Sequence, residues 1–193
     1  MDLALSICLG IGLAAACGFR IFVPLLGMSV AALAGHLELS EGFAWVGTWP
    51  ALACLATATV LEIGAYYIPW LDNLLDSIAT PAAVVAGTIV TASVVTEMSP
   101  LMKWSLALIA GGGTAGLIQS ATVALRGTSA ATTAGMGNWV VATGELIASV
   151  TATIVSILLP VLGLMVVVLL AIALFSIWQR RRPAVMVKAT TSA

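Results

Sequence analysis

Arg126-Gly127-Thr128-Ser129-Ala130-Ala131-Thr132-Thr133-Ala134-Gly135 is small, hydroxyl-rich and nearly free of bulk, yet it lies between two of the most apolar parts of the chain. An echo stands one hundred residues earlier. Leu25/Leu125, Gly27/Gly127, Ser29/Ser129, Ala31/Ala131, Ala34/Ala134 and Gly35/Gly135 are identical, six of the eleven positions from 25 to 35. An Ala/Gly/Leu-rich chain matches at roughly one or two such positions by chance, so the pattern points to a duplication. The expected architecture is an all-α, polytopic transmembrane protein of two related halves, with this segment and its echo as their shared centre. Residues 1–100 form the first repeat, 101–179 the second and 180–193 a basic tail.

Composition supports a lipid solvent. Hydrophobic residues make up 61% of the 193 and charged residues 8%, and the mean hydropathy is +1.15. A soluble domain carries about 25% charged residues. The net charge of −1 gives no basis for binding nucleic acid. Cys8, Cys17 and Cys54 lie in apolar runs without a CxxC or Cys/His pattern and read as small core residues. Met1-Asp2 lacks the basic n-region of a signal peptide, so the first apolar stretch reads as an uncleaved helix.

From Leu3 to Leu37 the one charge is Arg20, and Pro24 follows it. A straight helix of that length would measure about 50 Å against a hydrocarbon core of about 30 Å, so a break is expected near residues 18–24. Segment 3–17 is a helix, and 19–35 is either its kinked continuation or a re-entrant piece. Residues 49–68 form a third apolar segment whose one charge is Glu62. Leu71, Leu74, Leu75 and Ile78 share one helical face opposite Asp72, Asn73 and Asp76, the pattern of a short interfacial helix before an apolar segment at 82–95. The second half repeats the order: 101–117, broken by Gly111-Gly112-Gly113; 118–135; 139–159, with Glu145; and 161–178, stopped by Arg180-Arg181-Arg182-Pro183. All six tryptophans fall at segment ends or in loops, the placement of an interfacial belt.

If 19–35 and 118–135 are extensions or re-entrant pieces, each half crosses three times. The halves are then inverted repeats with six spans and both termini on one side. Arg180, Arg181, Arg182 and Lys188 put that side in the cytoplasm, with Arg126, Asp72 and Asp76, and leave Arg20 outside. Full spans at 19–35 and 118–135 would instead give eight crossings.

Ionisable groups at membrane depth are costly and mark functional sites. Glu62 and Glu145, one per half, are expected as paired intramembrane carboxylates facing a common cavity, where they exchange a proton for a cation. A neutral acid bonding across helices is the plain alternative. Arg20 either pairs with Glu62 or binds an anion, or it snorkels to the headgroups. Thr132, Thr133 and Asn138 offer neutral oxygen ligands to an ion or substrate pathway, in a segment expected to carry unwound backbone. Asp72 and Asp76 are weak metal candidates with Asn73, a solvated polar face being the plainer reading. Gly111-Gly112-Gly113 with Gly116 mark close helix approach, since no GxxxxGK[ST] follows. No enzyme motif is present and no cofactor is implied.

The chain resembles the family known as domain of unknown function 4126, small polytopic membrane proteins widespread in bacteria. The resemblance lies in residues 12–25, Gly-Leu-Ala-Ala-Ala-Cys-Gly-Phe-Arg-Ile-Phe-Val-Pro-Leu; in Glu62, Ala65, Pro69, Asp72 and Asp76; and in residues 129–135 followed by Asn138 and Glu145. Tyr66-Tyr67 stands where the resemblance implies Asp-Lys, and Leu146 where it implies a second acid. It implies a bacterial inner-membrane location and brings no established activity. The functional expectation is therefore a transporter or channel for a small ion or solute, coupled to protons through the paired carboxylates. A non-catalytic scaffold or assembly subunit is the alternative. The lipid bilayer, a small ion or solute and further copies of the chain are the expected partners.

Overall fold

The computed structural model describes residues 2–133 and 136–181, which are helical with no strand among them. The helices are α1 (Leu3–Cys17), α2 (Phe22–Leu33), α3 (Trp49–Ala65), α4 (Pro69–Val94), α5 (Pro100–Leu106), α6 (Gly113–Thr133), α7 (Asn138–Leu158) and α8 (Pro160–Arg181). A 3-10 segment, Glu41–Gly47, precedes α3, and a π-helical stretch, Ala107–Gly112, joins α5 to α6. Proline sets most of the starts. Pro69, Pro100 and Pro160 open α4, α5 and α8, and Pro50 and Pro24 sit in the first turns of α3 and α2. There the missing amide has no intrahelical acceptor to lose.

α1 is the centre of the bundle and packs on α2, α4, α6, α7 and α8. Leu13, Ala14, Ala16 and Cys17 have no exposed surface. Leu9, Leu13, Met28, Val90 and Val94 share one core cluster. α1 therefore draws on elements of both expected halves.

The contacts fix the direction of each pass. Thr91 Oγ1 donates to Gly10 O at 3.1 Å, and Ser149 Oγ to Ala16 O at 3.0 Å, so α4 and α7 run antiparallel to α1. Met28 lies level with Ser93 and Ile21 with Ile78, so α2 turns back against α1 as a hairpin. α3 returns, α4 descends, the run 100–133 ascends, α7 descends and α8 ascends beside Phe19 and Leu174. Leu3 and Arg181 consequently lie at opposite ends of the bundle.

Three helical stretches are long and apolar enough to cross a membrane: Leu74–Val94, Pro100–Thr133 and Asn138–Leu158. Glu41–Gly47 with Trp49–Ala65, bent by 71°, makes a fourth if the pair is one span. These helices are compatible with an integral membrane protein. Trp45, Trp49 and Trp104 are exposed toward the Leu3 end and Trp139 near the Arg181 end, at two separate levels.

Several expectations are corrected. Among the described residues three helical stretches, or four with the bent pair, are candidate spans, where the sequence predicts six crossings. Residues 71–78 are the first turns of the 26-residue α4 and not a separate helix. Segments 101–117 and 118–135 are not broken at the glycines. They run as one 34-residue stretch, Pro100–Thr133, whereas their counterparts 3–17 and 19–35 fold back as the hairpin of α1 and α2. α3–α4 and α7–α8 run in opposite senses, but the α1–α2 hairpin has no match in the second half. The glycines do mark close approach. A Cβ on Gly111 would stand 2.6 Å from Gly87 O, and one on Gly112 2.6 Å from Thr88 Oγ1. Residues 182–193 and Ala134-Gly135 lie outside the described residues.

Candidate functional site: a charged centre at the hairpin turn

α1 stops at Cys17 and α2 starts at Phe22, so the reversal over 18–21 exposes helix-end groups inside the protein. Gly18 permits it by lying flat against α6, where a Cβ would meet Ala115 O at 2.7 Å. The first amides of α2 have no intrahelical acceptor. Glu62, in the last turn of α3, supplies one: Ile21 N–H donates to Oε1 at 2.7 Å and Phe22 N–H to Oε2 at 3.0 Å. A carboxylate there also meets the positive end of the helix dipole.

Arg20 is 1% exposed. Its Nη2 donates to the carbonyl of Ala142 at 2.8 Å and lies 3.5 Å from Glu145 Oε2. Its Nε and Nη1 are buried without a hydrogen-bond partner. Arg126, 2% exposed, comes in from α6. It grips Glu145 side-on, Nε to Oε1 at 3.0 Å and Nη2 to Oε2, while Nη1 donates to Asp76 Oδ1 at 2.9 Å. Both guanidiniums stand over the ring of Tyr66, their carbons 3.8 and 4.1 Å from its centroid. The negative ring face offsets part of the repulsion between the two cations. Among the described side chains, two guanidiniums and three carboxylates, Glu62, Asp76 and Glu145, thus meet with a formal sum of −1.

A cavity of about 490 Å³ adjoins this centre between α2, α3 and α4, lined by Ile21, Phe22, Leu61, Leu75 and Ile78 with Glu62 and Tyr66. Glu145 lies seven residues into α7, about 10 Å from that helix's first turn at 1.5 Å per residue. The centre is therefore nearer the Arg181 end.

A family model described as Domain of unknown function (DUF4126) matches residues 7–180. The chain belongs to that family. No curated protein and no solved structure matches it. In this family member the run Gly18-Phe19-Arg20 with Pro24 forms the buried hairpin turn, and Glu62 and Asp76 are the carboxylates held by the turn amides and by Arg126.

Arg20, Glu62 and Glu145 do come together, but not as a pair of facing acids. Each carboxylate has its own partners, Glu62 the turn amides and Glu145 the two arginines. Arg20 is also not at the opposite side of the membrane from Arg126 and Asp76. Thr132 and Thr133 are exposed and stand apart from the charged centre. Their hydroxyls bond back to Thr128 O at 2.9 Å and Ser129 O at 2.7 Å, one turn earlier, because residues 128–133 are helix and not unwound backbone. Asn138 opens α7 two turns before Glu145. Asp76 pairs with Arg126, the Asp72 side chain lies outside the described ones, and no cluster of three or more metal-ligand residues occurs among the described residues.

Arg126 and Tyr66 are site residues that the sequence reading passed over. Tyr66 closes the third apolar segment in the sequence. Its spacing of four from Glu62 puts both on one face at the end of α3.

Proposed function

We propose that the protein moves a small ion or solute across the membrane through the charged centre between α2, α3, α6 and α7. The observation that carries this reading is Arg20, a fully buried cation with two unpartnered N–H groups at the turn of a broken helical hairpin. Ionisable groups at membrane depth cost several kcal/mol, roughly 2.5–3.5 for a central arginine by insertion scales, and are kept where a pathway uses them. Half-helix ends at midplane are a recurrent substrate device in transporters. Proton coupling would fall to Glu62, the carboxylate that borders the cavity.

The topology that accompanies this reading has five full passes, α3, α4, the 100–133 run, α7 and α8, plus the re-entrant α1–α2 hairpin. Arg180, Arg181, Arg182 and Lys188 follow the last pass, so the Arg181 end faces the cytoplasm and the Leu3 end, with Lys103 as its one basic residue, faces out. Purified protein in liposomes, loaded against ion gradients and a solute panel, tests the reading. Flux abolished by Arg20→Gln in folded protein supports it, and no flux of any solute by the wild type ends it.

The full satisfaction of Glu62 and Glu145 favours a second reading, a scaffold or assembly subunit whose charges only lock helices together. Gly113, Gly127 and Gly144 face open space and offer small-residue surfaces for self-association. Mass measurement in mild detergent checks this, and a monomer alone would remove the oligomer.

A further inference from the structure

We propose that the cavity between α2, α3 and α4 is a binding site for a small organic ammonium ion, an N–H-bearing monovalent cation on a hydrocarbon body, with Glu62 as its counter-charge. The inference rests on the transport reading for what binding accomplishes, and it names the substrate class. Among the described residues, Glu62 is the one charged side chain that lines this cavity of about 490 Å³. The amides of Ile21 and Phe22 satisfy its hydrogen bonding, one to each oxygen, but a neutral amide brings no formal charge. Each oxygen also keeps a lone pair for a further donor. The two guanidiniums are turned to other acceptors. Arg20 reaches Ala142 O and Glu145, and Arg126 reaches Glu145 and Asp76. No basic group stands within ion-pair distance of Glu62 among the described residues.

Charge and wall chemistry together select the ligand. The described guanidiniums and carboxylates of the centre sum to −1, and an uncompensated charge at membrane depth is costly. One monovalent cation beside Glu62 brings the sum to zero. An anion would take it to −2, and a zwitterionic lipid headgroup would leave it unchanged. A metal ion finds one carboxylate in a wall that is otherwise apolar or aromatic, where hard cations take about six or more oxygen ligands. A hydrocarbon body, by contrast, buries apolar surface against Leu61, Leu75 and Ile78. The Tyr66 ring borders the same cavity but already carries both guanidiniums, 3.8 and 4.1 Å from its centroid. It is not free to cage a quaternary ammonium, so recognition falls to charge-assisted hydrogen bonds from ligand N–H groups to the Glu62 oxygens.

The test is calorimetric titration of the detergent-purified full chain with hexylammonium chloride at neutral pH, corrected for empty micelles. Hexanol, hexanoate and hexyltrimethylammonium, with the same tail, are the neutral, anionic and quaternary comparisons. Hexylammonium should saturate one site and bind at least about tenfold tighter than each of the three. Glu62→Gln removes the charge and keeps a side-chain oxygen for a turn amide, and it should weaken hexylammonium by at least about tenfold. Ala82→Phe fills the cavity from α4 with Glu62 left in place, and it should abolish binding. Wild-type protein that binds no hexylammonium beyond empty micelles, or binds a comparison compound as tightly, overturns the proposal whether or not the variants fold. Undiminished binding in folded Glu62→Gln or Ala82→Phe overturns it as well. Liposomes that carry some other solute while hexylammonium does not bind remove this inference and leave the transport reading. Hexylammonium binding that depends on Glu62, in protein that transports nothing, supports the site and removes transport.

Discussion

Two stretches of nearly the same length fold in opposite ways. Residues 3–33 make a hairpin whose turn is buried, and residues 100–133 make one uninterrupted run. The glycines alone do not explain the difference, because the straight run carries three in a row. What separates the two is the chemistry at the turn. Arg20 and the freed amides of α2 find acceptors in Ala142 O, Glu145 and Glu62, so the broken backbone is satisfied inside the protein. Gly111 and Gly112 meet the α4 backbone, and the run there only widens into a π-helical stretch. A helix breaks in the interior where its freed groups have partners, and it bends where it has only contacts.

The largest expected effect comes from removing the cation shared by both regions. Arg126→Leu leaves Glu145 and Asp76 without their main partner and should destabilise the protein by about 3–5 kcal/mol, read as lost thermal stability in detergent. Loss under 1 kcal/mol would mean the straight run contributes little to the hairpin's charged centre. Glu62→Ala comes next. It strips both acceptors from the α2 amides and should cost about 2–4 kcal/mol, counting two buried donors at about 1–3 kcal/mol each with partial hydration. A variant as stable as wild type would show that the turn does not depend on Glu62.

The echoed glycines give the finest comparison. A Cβ on Gly27 would collide with Thr153 Cγ2, whereas Gly127 faces open space in mid-helix. Gly27→Ala should therefore destabilise by about 1–3 kcal/mol through overpacking. Gly127→Ala should be neutral or stabilise by about 0.5–1 kcal/mol through helix propensity. Equal effects at both positions would restore the two segments as equivalent.

Much of the helical content was legible beforehand. The ends of α1, α3 and α7 follow from apolar runs closed by Gly18, Thr48-Trp49 and Asn138-Trp139, and the acids Glu62 and Glu145 stood out against their surroundings. The direction of α2 was not legible. A break at Gly18–Pro24 is compatible with a kink or a reversal, and the choice depends on Glu62 reaching the turn from forty residues away. The joining of residues 71–78 to α4 was hidden because an amphipathic first turn looks the same whether the helix ends or enters the bundle. The shared Tyr66 ring was hidden because the two cations that stand over it come from the turn and from α6, far away in sequence.

The measurement that bears most directly on the reversal at residues 18–21 is the side of the membrane on which each terminus lies. Reporter fusions at residue 2 and residue 190, read in the same cells, should give opposite sides, with residue 190 in the cytoplasm and residue 2 outside. Both reporters in the cytoplasm would mean that α1 and α2 cross as one kinked helix, and would contradict the buried hairpin on which the charged centre depends.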